Sequence, residues 1–211
     1  MTLTGTIRAA GLLLLLGFLL PVAACAPRLQ EIGAFESEAM LTDTAAVMAD
    51  GARLPVRVWP AQTPRAVIVG VHGMGDYSNA FDMPGTWFAE RGITTYAYDQ
   101  RGFGDTEHRG VWPGSTAMAA DLTSMVALVR VRHPGLPLYV LGLSMGGAVA
   151  MKAQAQGLAV DGIVVAAPAI WAGMAKRISF LTPEREVSVE APVKFMARKA
   201  EMAGKERSHP A

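Results

Sequence analysis

The chain has 211 residues, 51% of them hydrophobic and 7% aromatic, enough for one domain with its own core. Its 19 basic and 18 acidic residues leave a formal net charge of +1, which argues against an electrostatic nucleic-acid binder. No basic stripe, zinc-type Cys/His spacing, internal repeat or low-complexity linker appears, and the Gly-rich turns after Val71 and Leu141 lack the Lys-Ser/Thr of a phosphate loop.

The first segment reads as a targeting signal. Arg8 supplies positive charge, Gly11 to Leu20 is an apolar run too short to span a bilayer comfortably, and Pro21 to Ala26 brings small residues. Residues 1–24 are therefore expected to be a signal peptide. The sole cysteine, Cys25, directly follows Val22-Ala-Ala24. That sequence resembles the bacterial lipobox, which implies lipidation of Cys25 as the mature N-terminus. The alternatives are an ordinary signal peptide with an incidental cysteine, or an uncleaved anchor. Each places the rest of the chain beyond the cytoplasmic membrane, in the periplasm, secreted or membrane-anchored. In a Gram-negative envelope, the lack of Asp at position 26 implies the outer membrane.

Strand and helix patterns then alternate. Ala52–Trp59 reads as a strand, and Val67–Val71 as a buried one, apolar without alternation as parallel sheets require. A helix is expected over Ser78–Arg91, a strand over Thr94–Tyr98, and a helix over Thr116–Arg132 closed by His133-Pro134-Gly135. Leu138–Leu141 reads as a strand, Met145–Gly157 as a helix and Gly162–Ala167 as a strand. Such alternation specifies an α/β fold with a parallel sheet.

The chemistry concentrates in the turns. Leu138–Leu141 runs into Gly142-Leu-Ser144-Met-Gly146, and a helix-compatible stretch follows. That is the context of a nucleophile elbow, in which glycines two before and two after the serine let strand and helix approach closely. A serine hydroxyl is a poor nucleophile unless it is held exposed beside a base, so the pattern points to acyl transfer at Ser144. Val67–Val71 opens into His72-Gly73-Met74-Gly75, a turn able to aim backbone N–H groups at a developing oxyanion. The donors would be the amides of Met74 and of Met145, the residue after the nucleophile. His72 reads as a structural residue holding the turn rather than as the base. The third turn, Asp99-Gln-Arg101-Gly102-Phe-Gly104-Asp-Thr106, is polar and carries two glycines.

With these three motifs in this order and spacing, residues 38–173 resemble an α/β-hydrolase of the monoacylglycerol lipase, lysophospholipase and serine aminopeptidase-like group. Thr106 stands where that group usually has Ser, keeping a hydroxyl. The resemblance implies a mostly parallel sheet with helices on both faces. It also implies hydrolysis of monoacylglycerols, lysophospholipids or small esters by Ser144, with no metal or organic cofactor.

In that group the acid and the histidine of the triad follow the serine, on loops after later strands. Only 67 residues follow Ser144 here, and Ala175–Ala211 holds 13 of the chain's 37 charged residues. The fold is therefore expected to be incomplete at the C-terminus, with residues 174–211 an atypical charged tail or an interrupted lid. His209 is the only later histidine, and Asp161, Glu184, Glu186, Glu190, Glu201 and Glu206 are the acids before it. None of these acids follows an apolar strand, and His108 and His133 read as surface or capping residues. Two further functions stay open: an inactive or fragmentary envelope lipoprotein that at most binds acyl compounds, and peptidase or other chemistry on the same scaffold.

Overall fold

The computed structural model describes residues 29–30 and 32–170. The signal segment with Cys25, the later acids, His209 and the charged tail lie outside the described residues.

Seven strands form one sheet in the order β1-β2-β3-β5-β4-β6-β7. They are β1 (Met40–Leu41), β2 (Ala45–Val47), β3 (Arg53–Trp59), β4 (Ala66–Val71), β5 (Ile93–Tyr98), β6 (Leu138–Leu143) and β7 (Gly162–Ala166). Pairing from β5 through β4 and β6 to β7 is parallel. On the other side, β1, β2, β3 and β5 pair antiparallel, which makes the sheet mixed, with its parallel part carrying the three motif-bearing strands β4, β5 and β6. Strands β1 and β2 leave little periodic signal at two and three residues, and β2 is Ala-Ala-Val. A local turn makes them pair: the Thr42 N–H and hydroxyl both donate to the Ala45 carbonyl, and the Ala45 N–H donates back to the hydroxyl.

Three α-helices cross between the parallel strands: α1 (Asp82–Ala89), α2 (Gly114–Arg132) and α3 (Met145–Ala155). The helix expected over 78–91 divides into a 3₁₀ turn, Ser78–Phe81, and α1, and it stops before Gly92, whose φ is +74°. Only glycine takes that backbone cheaply, so the chain turns there into β5.

Period-two alternation in β4 serves both faces of the sheet. Val67, Val69 and Val71 are fully buried in one core with Leu138 and Val140 of β6, Met118, Leu122, Met125 and Val129 of α2, and Val149, Ala150 and Ala153 of α3. Each such aliphatic side chain contributes about 1.5–3 kcal/mol by burial. On the opposite face the Phe81 ring lies over Gly70, where an added Cβ would come within 2.6 Å of it. Gly85 of α1 meets the Trp59 ring in the same way, at 2.5 Å. Glycine is thus what lets the 3₁₀ turn and α1 sit down on this face.

Candidate active site

Because β4, β5 and β6 are parallel, the turns that follow them emerge at one edge of the sheet. This edge collects all three motifs.

Strand β6 ends at Leu143 and α3 begins at Met145, leaving Ser144 alone on the corner with φ 50° and ψ −113°. A positive φ at a residue with a side chain stores on the order of 1–3 kcal/mol and persists only where the surroundings over-determine it. They do so here. The Ser144 N–H donates to the Ala166 carbonyl at 2.9 Å, and its own carbonyl accepts from Gly147 at 3.0 Å, Ala148 at 3.3 Å and Ala169 at 3.0 Å. The flanking glycines are steric necessities. A Cβ on Gly142 would stand 2.6 Å from the Gly146 carbonyl oxygen, and one on Gly146 would strike the Val71 carbonyl oxygen and come within 2.6 Å of that of His72. Ser144 itself is exposed while Met145, Gly146 and Gly147 are buried.

The loop after β4 lies against this corner. A Cβ on Gly73 would be 3.4 Å from Cβ of Ser144, and Gly75 turns the chain at φ +72°. Met74 is exposed, and no backbone acceptor among the described residues takes its N–H. Met145 opens α3, where the first N–H groups of a helix have no intrahelical acceptor. Loop and helix start thus bring two candidate main-chain donors to the serine.

His72 is fully buried, and both ring nitrogens are engaged by backbone. Nδ1–H donates to the Gly73 carbonyl at 2.8 Å, and Nε2 accepts from the Gln100 N–H at 3.0 Å. Burial pushes the imidazole below the usual histidine range, against the pull of the Gly73 carbonyl and of Asp99 and Asp76. A neutral ring with a fixed tautomer and no free nitrogen holds the turn. Gln100 adds a second clamp, its side-chain amide donating to the His72 carbonyl at 2.8 Å.

The Asp99–Thr106 turn is a scaffold beneath this loop. Asp99 accepts from the Ser78 and Asp105 N–H groups at 2.8 Å each, and Gly104, at φ +58°, leaves room for its carboxylate. Thr106 donates its hydroxyl to the Phe103 carbonyl at 2.7 Å. Arg101, 3% exposed, is gripped from two sides: Asp50 takes Nη1 at 2.7 Å and Nη2 at 3.2 Å, and Asp121 takes Nη2 at 2.8 Å and Nε at 3.0 Å. Burial pushes the Asp50 carboxyl up, but Arg101 and the Gly33 and Ala52 amides outweigh it and hold it below the usual range. Sequence reading missed this cluster, since the two carboxylates come to Arg101 from positions far along the chain.

The remaining histidines and Asp161 stand elsewhere. His133 caps α2 and pairs Nε2 with the Tyr96 hydroxyl at 2.9 Å. His108 is exposed in a loop lining a cleft of about 280 Å³ with Asp50, Arg101 and Glu107. Asp161 accepts the Leu138 N–H at 2.8 Å and Arg130 at 3.2 Å, at the amino ends of β6 and β7 and so at the far edge from Ser144. Among the described residues no acid and histidine meet at Ser144, and no group of three or more His, Cys, Asp or Glu could hold a metal ion. None of the described helices is long and apolar enough to cross a membrane.

The sheet order, the crossover helices and the strained serine corner define an α/β-hydrolase fold. A family described as serine aminopeptidase, S33, matches residues 62–210, and the chain belongs to that family. The match runs on through the charged segment. The chain is 34% identical over 112 residues to the monoglyceride lipase of Homo sapiens, covering 52% of this chain and 37% of that enzyme. It is 33% identical over 101 residues to the monoacylglycerol lipase of Mycolicibacterium smegmatis, covering 47% and 36%. A soluble variant of monoglyceride lipase from Saccharomyces cerevisiae, solved with a substrate analog, superposes with a TM-score of 0.53 at 25% identity, over 65% of this chain and 45% of that one. These matches reach over less than half the length of each relative.

Proposed function

We propose that the chain carries the nucleophile half of a serine hydrolase for carboxylic esters of the monoacylglycerol, lysophospholipid or small-ester class. Ser144 attacks the ester carbonyl, and the amides of Met74 and Met145 hold the oxyanion. A histidine oriented by an acid, neither of them among the described residues, moves the proton. The observation that carries this reading is the exposed hydroxyl on a positive-φ corner with the 72–75 loop packed against it. Likeness to monoglyceride lipases supports the ester class. The family match through residue 210 supports reading residues 174–210 as part of the hydrolase, a lid region, rather than as unrelated sequence. We place the domain in the cell envelope, anchored through lipidated Cys25, on the strength of the lipobox-like Val22-Ala-Ala24.

A fluorophosphonate probe tests the assignment. Covalent capture needs an activated hydroxyl, so labelling of the folded chain that disappears in Ser144→Ala is the expected outcome. A folded chain that resists the probe would instead fit an inactive lipoprotein binding acyl compounds, the reading favoured by the lack of an acid–histidine pair at Ser144 among the described residues. Labelling with aminopeptidase turnover and no ester turnover would move the substrate class toward peptides, as the family's description suggests.

A further inference from the structure

We propose that the sheet edge bearing Ser144 faces a lipid bilayer, fixed in that orientation by a tether of four residues. This rests on the lipidation of Cys25 put forward above, and independently on how the chain enters the domain. Leu29 forms a parallel bridge with Trp112, and the Gln30 N–H donates to the Trp112 carbonyl at 3.0 Å. Farther on, the Gly33 N–H donates to Asp50 at 3.0 Å and the Glu36 N–H to the Ala49 carbonyl at 2.8 Å. The entering chain is therefore fastened to two turns. One is the loop between β5 and α2, and the other joins β2 to β3.

Both turns lie at the edge that carries the candidate site. The first leaves the carboxyl end of β5, parallel to β4 and β6. The second precedes β3, whose Val56 sits opposite Tyr98 at that same end of β5. Contacts join the entry point to the serine: Trp112 meets Phe103 edge-on at 6.4 Å, Phe103 meets His72 at 5.7 Å, and His72 opens the loop against Ser144.

Tether length decides the orientation. Four residues from Cys25 to Leu29 reach at most about 14 Å. A domain of this size is roughly 35–40 Å across, so the far edge cannot turn toward the membrane while Leu29 stays bridged. The near edge also has the chemistry for contact. Leu29, Trp112, Phe35 and Met74 are 53%, 36%, 79% and 62% exposed, and tryptophan favours the boundary between headgroups and acyl chains. Asp105, Glu107 and Arg109 are the exposed charges of this loop, and Asp76, Glu36 and Glu38 add exposed acids on the adjoining segments, so no basic patch faces outward here. The surface is thus fitted to an uncharged phospholipid interface rather than to electrostatic attraction, and an ester in that interface lies on the side of the exposed serine.

The test uses the full, lipid-modified chain in phosphatidylcholine vesicles, with a fluorophore on Arg109→Cys or, separately, on Val131→Cys. Lipidation consumes the sulfur of Cys25, so each variant has one free thiol. Val131 is 80% exposed at the C-terminal end of α2, which runs back toward the opposite edge. Headgroup-attached nitroxide should quench the label at 109 several-fold more than that at 131, with or without added anionic phosphatidylglycerol. A long flexible Gly-Ser insertion between Ala26 and Pro27 should shrink the difference. Equal quenching, stronger quenching at 131, or a difference untouched by the insertion would overturn the proposal. An N-terminal peptide mass showing unmodified Cys25 would remove the anchor and the orientation together, while probe capture at Ser144 would report on the hydrolase reading separately.

Discussion

Two turns at the same sheet edge, one after β5 and one after β6, treat their polar groups in opposite ways. The Asp99–Thr106 turn buries Asp99, Gln100, Arg101 and Thr106 and gives them backbone or ionic partners. The Gly142–Gly146 turn buries its glycines and leaves one hydroxyl exposed on strained backbone. The first turn is organised for stability, and the second depends on it, because Gln100 clamps His72 and His72 holds the loop beside Ser144.

The largest effect should come from the stabilising turn. Arg101→Met strands two carboxylates, and removing one partner of a buried ion cluster costs about 3–5 kcal/mol. Denaturant unfolding should show that loss, and adding Asp50→Leu and Asp121→Leu should recover much of it. Recovery of nothing would mean that Arg101 matters for packing alone.

Next is Gly146→Ala in the elbow. Its Cβ would meet the Val71 carbonyl, a backbone atom that cannot swing away, and overpacking of this kind typically costs 1–3 kcal/mol. A thermal midpoint unchanged from the parent would contradict the close approach of α3 to β4.

A smaller change has the opposite sign. Ser144→Gly relieves the positive φ, so it should raise stability by about 1 kcal/mol while abolishing probe capture. If stability falls instead, the corner stores no strain.

The mildest effect is on pH dependence. His72 titrates below its unfolded value, so the unfolded chain takes up a proton first as pH drops. Its contribution to stability is complete above about pH 6.5, the unfolded value, and is lost as pH falls through the lowered folded one. His133, lowered by its burial and by Arg132, acts in the same direction. Unfolding free energies measured from pH 7.5 to 5 should slope less steeply in His72→Asn than in the parent.

What could be read from the sequence followed from local pattern. Runs of four to six residues, aliphatic in β4, β6 and β7 and β-branched or aromatic in β5, marked these strands, and glycine spacing around Ser144 marked the corner, because sterics at a tight turn leave few residue choices. Strands β1 and β2 were too short to show a period, so of the antiparallel side only β3 was legible. Arg101 lies 51 residues from Asp50 and 20 from Asp121, so no local pattern announces their meeting. Ala167, at φ 45° without being glycine, is equally silent in sequence, since it lies between Ala166 and Ala169, whose backbone groups both bond to Ser144.

The hydrogen bonds at Ser144 also govern the order in which this corner can be made during synthesis. Its N–H finds its acceptor at Ala166, and one of the donors to its carbonyl is Ala169. A nascent chain that has just released the serine from the ribosome holds the elbow's sequence without its geometry. Only when some twenty-five further residues have emerged and β7 has docked beside β6 can the backbone of Ser144 lock.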